Sequence, residues 1–331
     1  EFVVEVKRVD LLNGGDAMSQ LGFSSWKKSR NWRSTGFYGH YTTYAEVLQL
    51  ILSLVLGLFV ASLGNWRRGD AGTRRQETGD ERQESGYEPR SASASPRPRV
   101  AASLLLFCLA AMSLALLLTV TRASQLAFLI SASVIVVIGL GRKWLLAAAG
   151  IGLPIVIVGL LFLQQSRQVG FFDTKDESIR WRQTVWREGF DLWTSSPRNF
   201  VLGVGMDSIK RFAPEWHMFD NGRLNQGHFH STPINLLVER GLPALLIWLT
   251  VLGIYARSLW KAFAASTDWI TKGVFLGCVG GAVGFFSSGL VHYNLGDQEV
   301  AMMFFLLMGL GVRLVSLGSP GSQMDAAAQT S

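Results

Sequence analysis

The stretch "GHFHSTPINLLVERG", residues 227–241, places two histidines just ahead of an apolar run that starts at Leu242. In an extended chain the side chains of His228 and His230 point to the same side. Two imidazoles could share a metal ion. However, no His-x3-His, His-Glu-x-x-His or cysteine pattern supplies further ligands, so we expect no metal site.

His230 is the stronger candidate for acid–base chemistry. Pro233 favours an early helical position and Gly241 favours a helix end, which places His230 just before a helix N-terminus. The positive end of a helix favours the neutral imidazole, and a general base requires that form. The alternative interpretation is a loop histidine held by hydrogen bonds.

A lone arginine, Arg122, separates two apolar runs in "LLLTVTRASQLAFLI", residues 116–130. One interpretation is an arginine that snorkels to the lipid headgroups. The other is a functional cation. No Asp or Glu lies near it in the sequence, so its partner would come from elsewhere in the fold or from a ligand anion such as a phosphate.

Further arginines lie in residues 174–196, where a T-x-x-E capping box and a following proline predict a helix. Three aromatic residues at spacings of four and three form one stripe: Trp186, Phe190 and Trp193. Arg182 lies one turn before the first of them on nearly the same face. The helix either rests its tryptophans on the membrane interface and holds Arg182 at phosphate depth, or is a surface helix with solvated arginines.

Two more polar features carry weaker signals. Residues 31–50 mix aromatic, glycine and polar side chains and include His40 and Glu46, which we interpret as an interfacial anchor with a hydrogen-bonded histidine. Two glycines in "VLGVGMDSI", residues 201–209, are spaced as in a tight turn.

These residues are positioned by a chain that is suited to a bilayer. It is 49% hydrophobic and 17% charged, with a mean hydropathy of +0.26, which is too apolar for an ordinary soluble domain. A spanning helix needs about 20 mostly apolar residues. Seven segments meet this test: 45–64, 101–119, 123–141, 144–164, 242–262, 273–291 and 300–317. We therefore predict an all-α, polytopic integral membrane helix bundle with a long, mostly helical extracytoplasmic loop.

Basic residues predict the orientation of the bundle, since cytoplasmic loops carry an excess of Lys and Arg. By this rule residues 65–100 are cytoplasmic. We expect them to form a disordered linker, because their polar composition cannot bury an apolar core. The other predicted parts are an extracytoplasmic loop at 1–44, membrane helices at 45–64, 101–164 and 242–317, an extracytoplasmic catalytic loop at 165–241, and a cytoplasmic tail at 318–331.

Charge and cysteine content exclude two other classes of protein. The net charge of +7 comes largely from the predicted cytoplasmic loops, where it serves topology and membrane lipid headgroups, so we expect no nucleic-acid partner. Cys108 and Cys278 lie inside apolar runs, and neither a disulfide framework nor a metal site is indicated.

Three motifs stand in order along the chain. Arg122 follows L-T-x-[ST] at a helix end, Arg182 lies four positions before a Trp and ahead of "P...GVG", and His230 lies nine positions before Glu239 and eleven before Gly241. This order resembles the O-antigen ligase and O-antigen polymerase family of membrane glycosyltransferases. The family motif H-N-x-x-L-x-x-L-x-E-x-G appears here as "HSTPINLLVERG", and S-R-G-A appears as "TRAS".

The resemblance implies transfer of a glycan from undecaprenyl pyrophosphate to an acceptor hydroxyl, on lipid A-core or a growing glycan, at the outer face of the bacterial inner membrane. It implies no cofactor: Arg122 and Arg182 would neutralise the leaving pyrophosphate, and His230 would remove the acceptor proton. Arg180 offers a competing register for the second motif. The expected substrate-binding residues are Arg122, Arg182, Arg180, His228 and Glu239.

Other activities stay open at this point. A polymerase or an enzyme that glycosylates protein would share the donor chemistry. A transporter would line a path with charges inside several helices, whereas the predicted spans are nearly free of charge, which favours an enzyme. Family members carry several more membrane helices upstream, so we expect that this chain lacks N-terminal helices.

Overall fold

The computed structural model describes residues 23–25, 32–38, 40–77, 98–141, 143, 144, 146, 177–224 and 227–317. Within these ranges the protein is a bundle of long helices with shorter helices at one end. The elements in chain order are β1 (Phe23–Ser25), β2 (Trp32–Ser34), α1 (Tyr41–Glu77), α2 (Pro98–Thr119), α3 (Arg122–Leu140), α4 (Glu177–Thr194), α5 (Pro197–Leu202), α6 (Ser208–Phe212), α7 (Met218–Asn221), α8 (Thr232–Ala265), α9 (Trp269–Gly289), a 3-10 helix (Asn294–Gly296) and α10 (Gln298–Leu317). The all-α prediction is confirmed, and the short antiparallel β1–β2 pair is a minor addition to it.

Six of the described helices are long and apolar enough to cross a membrane. Their bounds are Tyr41–Gly64, Val100–Thr119, Arg122–Leu140, Thr232–Ala265, Trp269–Gly289 and Gln298–Leu317. Each one contains or overlaps a segment predicted from hydropathy. The seventh predicted segment, 144–164, lies outside the described residues apart from Trp144 and Leu146, and it stays a prediction. The chain is a polytopic helical membrane protein.

The structure differs from the sequence-based expectation directly after the first span. We predicted a disordered linker from residue 65, but α1 continues as one helix to Glu77. Residues 65–77 are polar, yet many of them are Arg, Gln and Glu, which are good helix formers, and an existing helix extends far more easily than a new one nucleates. Helix α2 also begins earlier, at Pro98. The centre of the predicted linker, 78–97, lies outside the described residues.

The helix pairings define one end of the bundle, which we call the outer end. Helices α1 and α3 run parallel, because the hydroxyls of Ser53 and Ser131 lie 2.8 Å apart and a Cβ at Gly139, further along α3, would contact Val60 further along α1. Helix α9 runs in the opposite direction and ends where α1 begins. The N-termini of α1, α3, α8 and α10 and the C-terminus of α9 therefore lie together at the outer end.

Glycines allow α1 and α9 to pack with their backbones in contact. A Cβ on Gly57 would collide with the backbone nitrogen of Gly277, and a Cβ on Gly277 would lie 2.5 Å from the Cα of Leu54. Close approach of this kind is typical of small residues at helix interfaces in membranes, where packing rather than water exclusion drives association. This tight pair forms the centre of the bundle and fixes the outer ends of both helices.

Helix α8 is interrupted by a kink at Gly241, where the backbone adopts φ 77° and ψ 177°. The kink confirms the prediction that the helix beginning near Pro233 ends its first section at Gly241. It frees the carbonyl of Glu239, since Pro243 has no N–H to donate to it. The N–H groups of Val204 and Gly205 donate to the carbonyls of Val238 and Glu239 at 2.8 and 3.0 Å. The predicted glycine turn therefore caps the kink.

Helices α4 to α7 and residues 227–240 form what we call the outer lobe. Its core contains Val185, Ile209, Phe229 and Val238, each at most 1% exposed. Helix α4 packs its apolar face into this core, and the Trp186 indole donates to the Phe229 carbonyl at 2.8 Å. Trp186 therefore packs against protein side chains, a contact that neither interpretation of this helix included, while Phe190 of the same stripe is 43% exposed. Thr174, the first residue of the predicted capping box, lies outside the described residues.

Candidate functional site

Three segments meet at the outer end and bring together side chains that are distant in the sequence. Residues 227–231 supply His228 and His230, the first turns of α4 supply Trp181 and Arg182, and the segment after α9 supplies His292. We call His228, His230 and His292 the histidine cluster. Two of the predicted site histidines and one predicted arginine therefore share one region.

His230 has a backbone conformation that is rare for a residue with a side chain. Its φ is +47°, in the left-handed region. Such a conformation costs on the order of 1–3 kcal/mol and persists only where the surroundings hold it. The imidazole lies edge-on to Trp181, with ring centroids 4.7 Å apart, and 4.1 Å from the ring of His228. The two imidazoles are adjacent, as predicted, but the extended backbone from which this was predicted is absent at His230.

The imidazole of His228 contributes to this conformation. Its Nδ1 accepts the backbone N–H of His230 at 3.2 Å. An accepting Nδ1 assigns the proton of the neutral ring to Nε2. Burial, followed by the nearby charge of His292, lowers the pKa of His228, which keeps this ring neutral near pH 7. On its other side the ring faces Tyr293, with centroids 5.7 Å apart.

The pKa of His230 is shifted further, to about 3. Burial is the largest cause, and the charges of His228, His292, Arg182 and His40 act in the same direction. A cation is disfavoured here because it would lose hydration and lie beside other positive groups. The imidazole is therefore neutral at physiological pH, which is the form that a general base requires.

Arg182 and Arg180 occupy different environments although they lie two residues apart. The guanidinium of Arg182 is half-buried, lies 5.9 Å from the centre of the Trp181 ring, and acts electrostatically on His230. Arg180 is exposed. The geometry therefore favours Arg182 for the second motif.

Arg122 lies at the level of the histidine cluster on a neighbouring helix. It is half-buried and is the first residue of α3, nine residues above Ser131. Glu46 is seven residues above Ser53 on α1, and the two serines are in contact. At about 1.5 Å per residue, Arg122 and Glu46 stand roughly 14 and 10 Å above that contact.

Glu46 and His292 form a buried pair that the sequence analysis missed. His292 Nδ1 and Glu46 Oε1 lie 2.6 Å apart, and their side chains are only 12% and 3% exposed. The carbonyl of His292 also accepts the N–H of Thr232, the first residue of α8, at 3.1 Å. We interpreted Glu46 as part of an interfacial anchor, but it is buried in the protein. The signal available in the sequence was the "HYN" that follows α9 at its outer end.

Glu239 lies at the kink of α8. It is 7% exposed, and its carboxylate accepts the backbone N–H of Asp207. The next residue, Arg240, hydrogen bonds to the hydroxyl of Tyr293, which connects the kink to the histidine cluster. Burial and the charge of Glu239 raise the pKa of Tyr293, against the opposite effect of Arg240, so the phenol stays protonated. A direct substrate contact by Glu239 stays a prediction.

Asn235 is a second residue that the sequence analysis did not identify. It lies on the first turns of α8, is 1% exposed, and hydrogen bonds to the backbone of Phe229 and of Ser231. Its polar character in an otherwise apolar face, "INLLV", was the available signal. Among the residues that the structure describes, no group of three or more His, Cys, Asp or Glu side chains is arranged to hold a metal ion.

The arrangement pairs a neutral, partly buried imidazole with permanent positive charge at the mouth of a membrane bundle. A family model described as O-antigen ligase matches residues 107–249. The match contains Arg122, Arg182, His228, His230 and Glu239, whereas Glu46 and His292 lie outside it. No functionally curated protein matches the chain. The resemblance seen in the motifs is thus confirmed by an independent match over most of α2, α3 and the outer lobe, the part of the chain that carries all three motifs.

Proposed function

We propose that this protein transfers a glycan from an undecaprenyl pyrophosphate donor to an acceptor hydroxyl at the outer face of the bacterial inner membrane, with lipid A-core as acceptor. The family match supports a function of the O-antigen ligase or polymerase type. The observation that carries the finer proposal is the partly buried, neutral His230, held in a strained backbone beside Arg182.

In this reaction the acceptor oxygen attacks the anomeric carbon, and the bond from that carbon to the phosphate oxygen breaks. Undecaprenyl pyrophosphate leaves with the bonding electron pair, and His230 takes the proton of the acceptor hydroxyl. Attack from the side opposite the leaving group inverts the anomeric centre. No metal ion is required, because the arginines supply the positive charge that the leaving group needs.

The low pKa of His230 belongs to the site without donor. An imidazole whose conjugate acid has a pKa of about 3 is a weak base. The negative charges of a bound pyrophosphate favour the imidazolium and raise this pKa toward a value suited to proton transfer. Donor binding thus makes His230 a stronger base, and this couples deprotonation of the acceptor to the presence of the donor.

Arg182 and Arg122 have the complementary role. Arg182 is near enough to His230 to lower its pKa, so a phosphate bound to Arg182 also lies near the base. Arg122 lies at a similar level on α3 and would contact the pyrophosphate from the bundle side. A guanidinium offers a planar set of donors that matches phosphate oxygens.

The test measures glycan transfer from an undecaprenyl pyrophosphate donor to lipid A-core, in detergent with EDTA, by the full chain and by His230→Ala. His217→Ala is the matched control, since His217 is an exposed histidine of the same outer lobe. We expect transfer by the parent and by His217→Ala, and loss of transfer with retained donor binding in His230→Ala.

Two outcomes would replace the proposal. A parent that lengthens the donor glycan but leaves lipid A-core unmodified is a polymerase. A folded parent that performs neither reaction, yet moves the lipid-linked glycan across a vesicle membrane, is a transporter.

A further inference from the structure

Asn235 spans the backbone on both sides of His230. Its Oδ1 accepts the N–H of Phe229 at 3.5 Å, and its Nδ2 donates to the carbonyl of Ser231 at 2.8 Å. The side chain is 1% exposed, so water does not compete for these bonds. One amide therefore ties the residue before His230 to the residue after it.

The residues on either side of His230 are fixed in other ways as well. Phe229 is fully buried, and its carbonyl accepts the indole N–H of Trp186. Ser231 precedes the first turn of α8, whose first N–H donates to the carbonyl of His292. Because both ends of this short segment are anchored, the backbone between them is confined to the left-handed conformation that His230 adopts.

We propose that Asn235 is a positioning residue, which acts through His230 by holding the imidazole beside Trp181 and Arg182. The proposal rests on the proposed role of His230 as general base. Position 235 is one of the unassigned positions of the motif "HSTPINLLVERG", so the motif itself gives Asn235 no role.

Loss of the amide has a predictable structural result. Without it, only the separate anchors of Phe229 and of α8 and the bond to His228 hold the segment, and the strained His230 is expected to relax toward an extended backbone with negative φ. Relaxation turns the imidazole away from Trp181, with which it now makes an edge-on contact. A displacement of about 1 Å in a reacting group can lower the turnover rate about 100-fold.

The first experiment compares Asn235→Ala with Asn199→Ala in the full chain. Asn199 is a matched control because its amide also bonds within the outer lobe, to the Leu192 carbonyl at 3.3 Å, away from His230. We expect kcat of Asn235→Ala to fall about 100-fold with KM for the lipid-linked donor unchanged, since donor charge is bound by arginines. Asn199→Ala should keep the parent kcat.

The second experiment separates positioning from a general loss of structure. Adding Asn235→Ala to His230→Ala should cause no further loss of residual turnover, because the amide acts through an imidazole that is already absent. A further fall in the double variant would overturn the proposal. If His230→Ala alone has parental activity, the proposed function fails, and this result is distinct from a failure of Asn235→Ala to lower kcat.

A third measurement does not depend on turnover. Carbethoxylation of His230 by diethyl pyrocarbonate, followed by peptide mass spectrometry, should be faster in Asn235→Ala than in the parent or in Asn199→Ala. If Asn235→Ala does not fold, Asn235→Asp replaces it, because this variant keeps an acceptor for Phe229 and loses the donor to Ser231. Parental kcat and parental labelling in a folded Asn235 variant would overturn the proposal.

Discussion

The shifted pKa of His230 makes a quantitative prediction about pH. In the free enzyme the acid limb of kcat/KM is set by the pKa of the base, which here is about 3 instead of the usual value near 6.5. At about pH 5 an ordinary histidine would be only roughly 3% neutral, and kcat/KM would be about 30-fold below its plateau. With the lowered pKa nearly every His230 is neutral there, so we expect kcat/KM to stay close to its value at pH 7.

The turnover number should behave differently. It reports the complex with donor, in which the negative charge of the pyrophosphate raises the pKa of His230 relative to the free site. We therefore expect kcat to begin its fall at a higher pH than kcat/KM. The sign follows from charge: burial and neighbouring cations disfavour the imidazolium, and a bound anion favours it.

The assay is initial-rate transfer in detergent over a pH series, with donor binding measured at each pH to correct for protonation of the donor itself. His217→Ala is carried through the same series as a control for the outer lobe. A fall in kcat/KM of about tenfold per pH unit below pH 6.5, with donor binding retained, would show instead that His230 titrates as an exposed histidine.

Three further variants test other contacts. Glu46→Gln keeps the shape of the side chain but removes its charge. We expect this variant to lower the thermal midpoint in detergent and kcat, because a hydrogen bond to a charged group contributes about 1.5–3 kcal/mol to stability. An unchanged midpoint would contradict this expectation. Arg182→Gln should weaken donor binding far more than Arg187→Gln, an exposed arginine of the same helix, when both are titrated with donor. Gly241→Ala should lower the stability of the protein by about 1–3 kcal/mol or more, since the positive φ at this position disfavours a side chain and the new Cβ would collide with the Val201 carbonyl. Gly253, on the same helix, has open space around it, so Gly253→Ala should keep the thermal midpoint of the parent.

The membrane spans could be predicted because length and apolar composition decide them locally. The kink of α8 was also readable, since Gly241 and Pro243 interrupt a helix whatever surrounds it. The continuation of α1 past Gly64 could not be predicted, because the same polar residues are compatible with a disordered linker and with a helix that extends from a stable span.

The candidate site was predicted only in part, because local sequence patterns reveal some of its residues and long-range contacts determine the others. His230, His228 and Arg182 were found by residue type and spacing, and the structure brings them together. The pair of Glu46 with His292 joins residues 246 positions apart, and no local pattern reveals such a contact. The left-handed backbone of His230 also could not be predicted from the sequence, because it depends on contacts of Asn235, Trp186 and His228 with one short segment.

The Glu46–His292 contact has a consequence for biogenesis. Glu46 lies in the first described span and leaves the ribosome before His292, which follows α9 and emerges after the residues of the family match. Synthesis proceeds from the N-terminus, so the carboxylate of Glu46 waits without this partner until α9 has been inserted and its outer end exposed. A nascent chain that stops at Thr250 contains every predicted site residue and still lacks the histidine that completes their surroundings. The outer end therefore reaches its final form only after α9 has been inserted and His292 has reached Glu46.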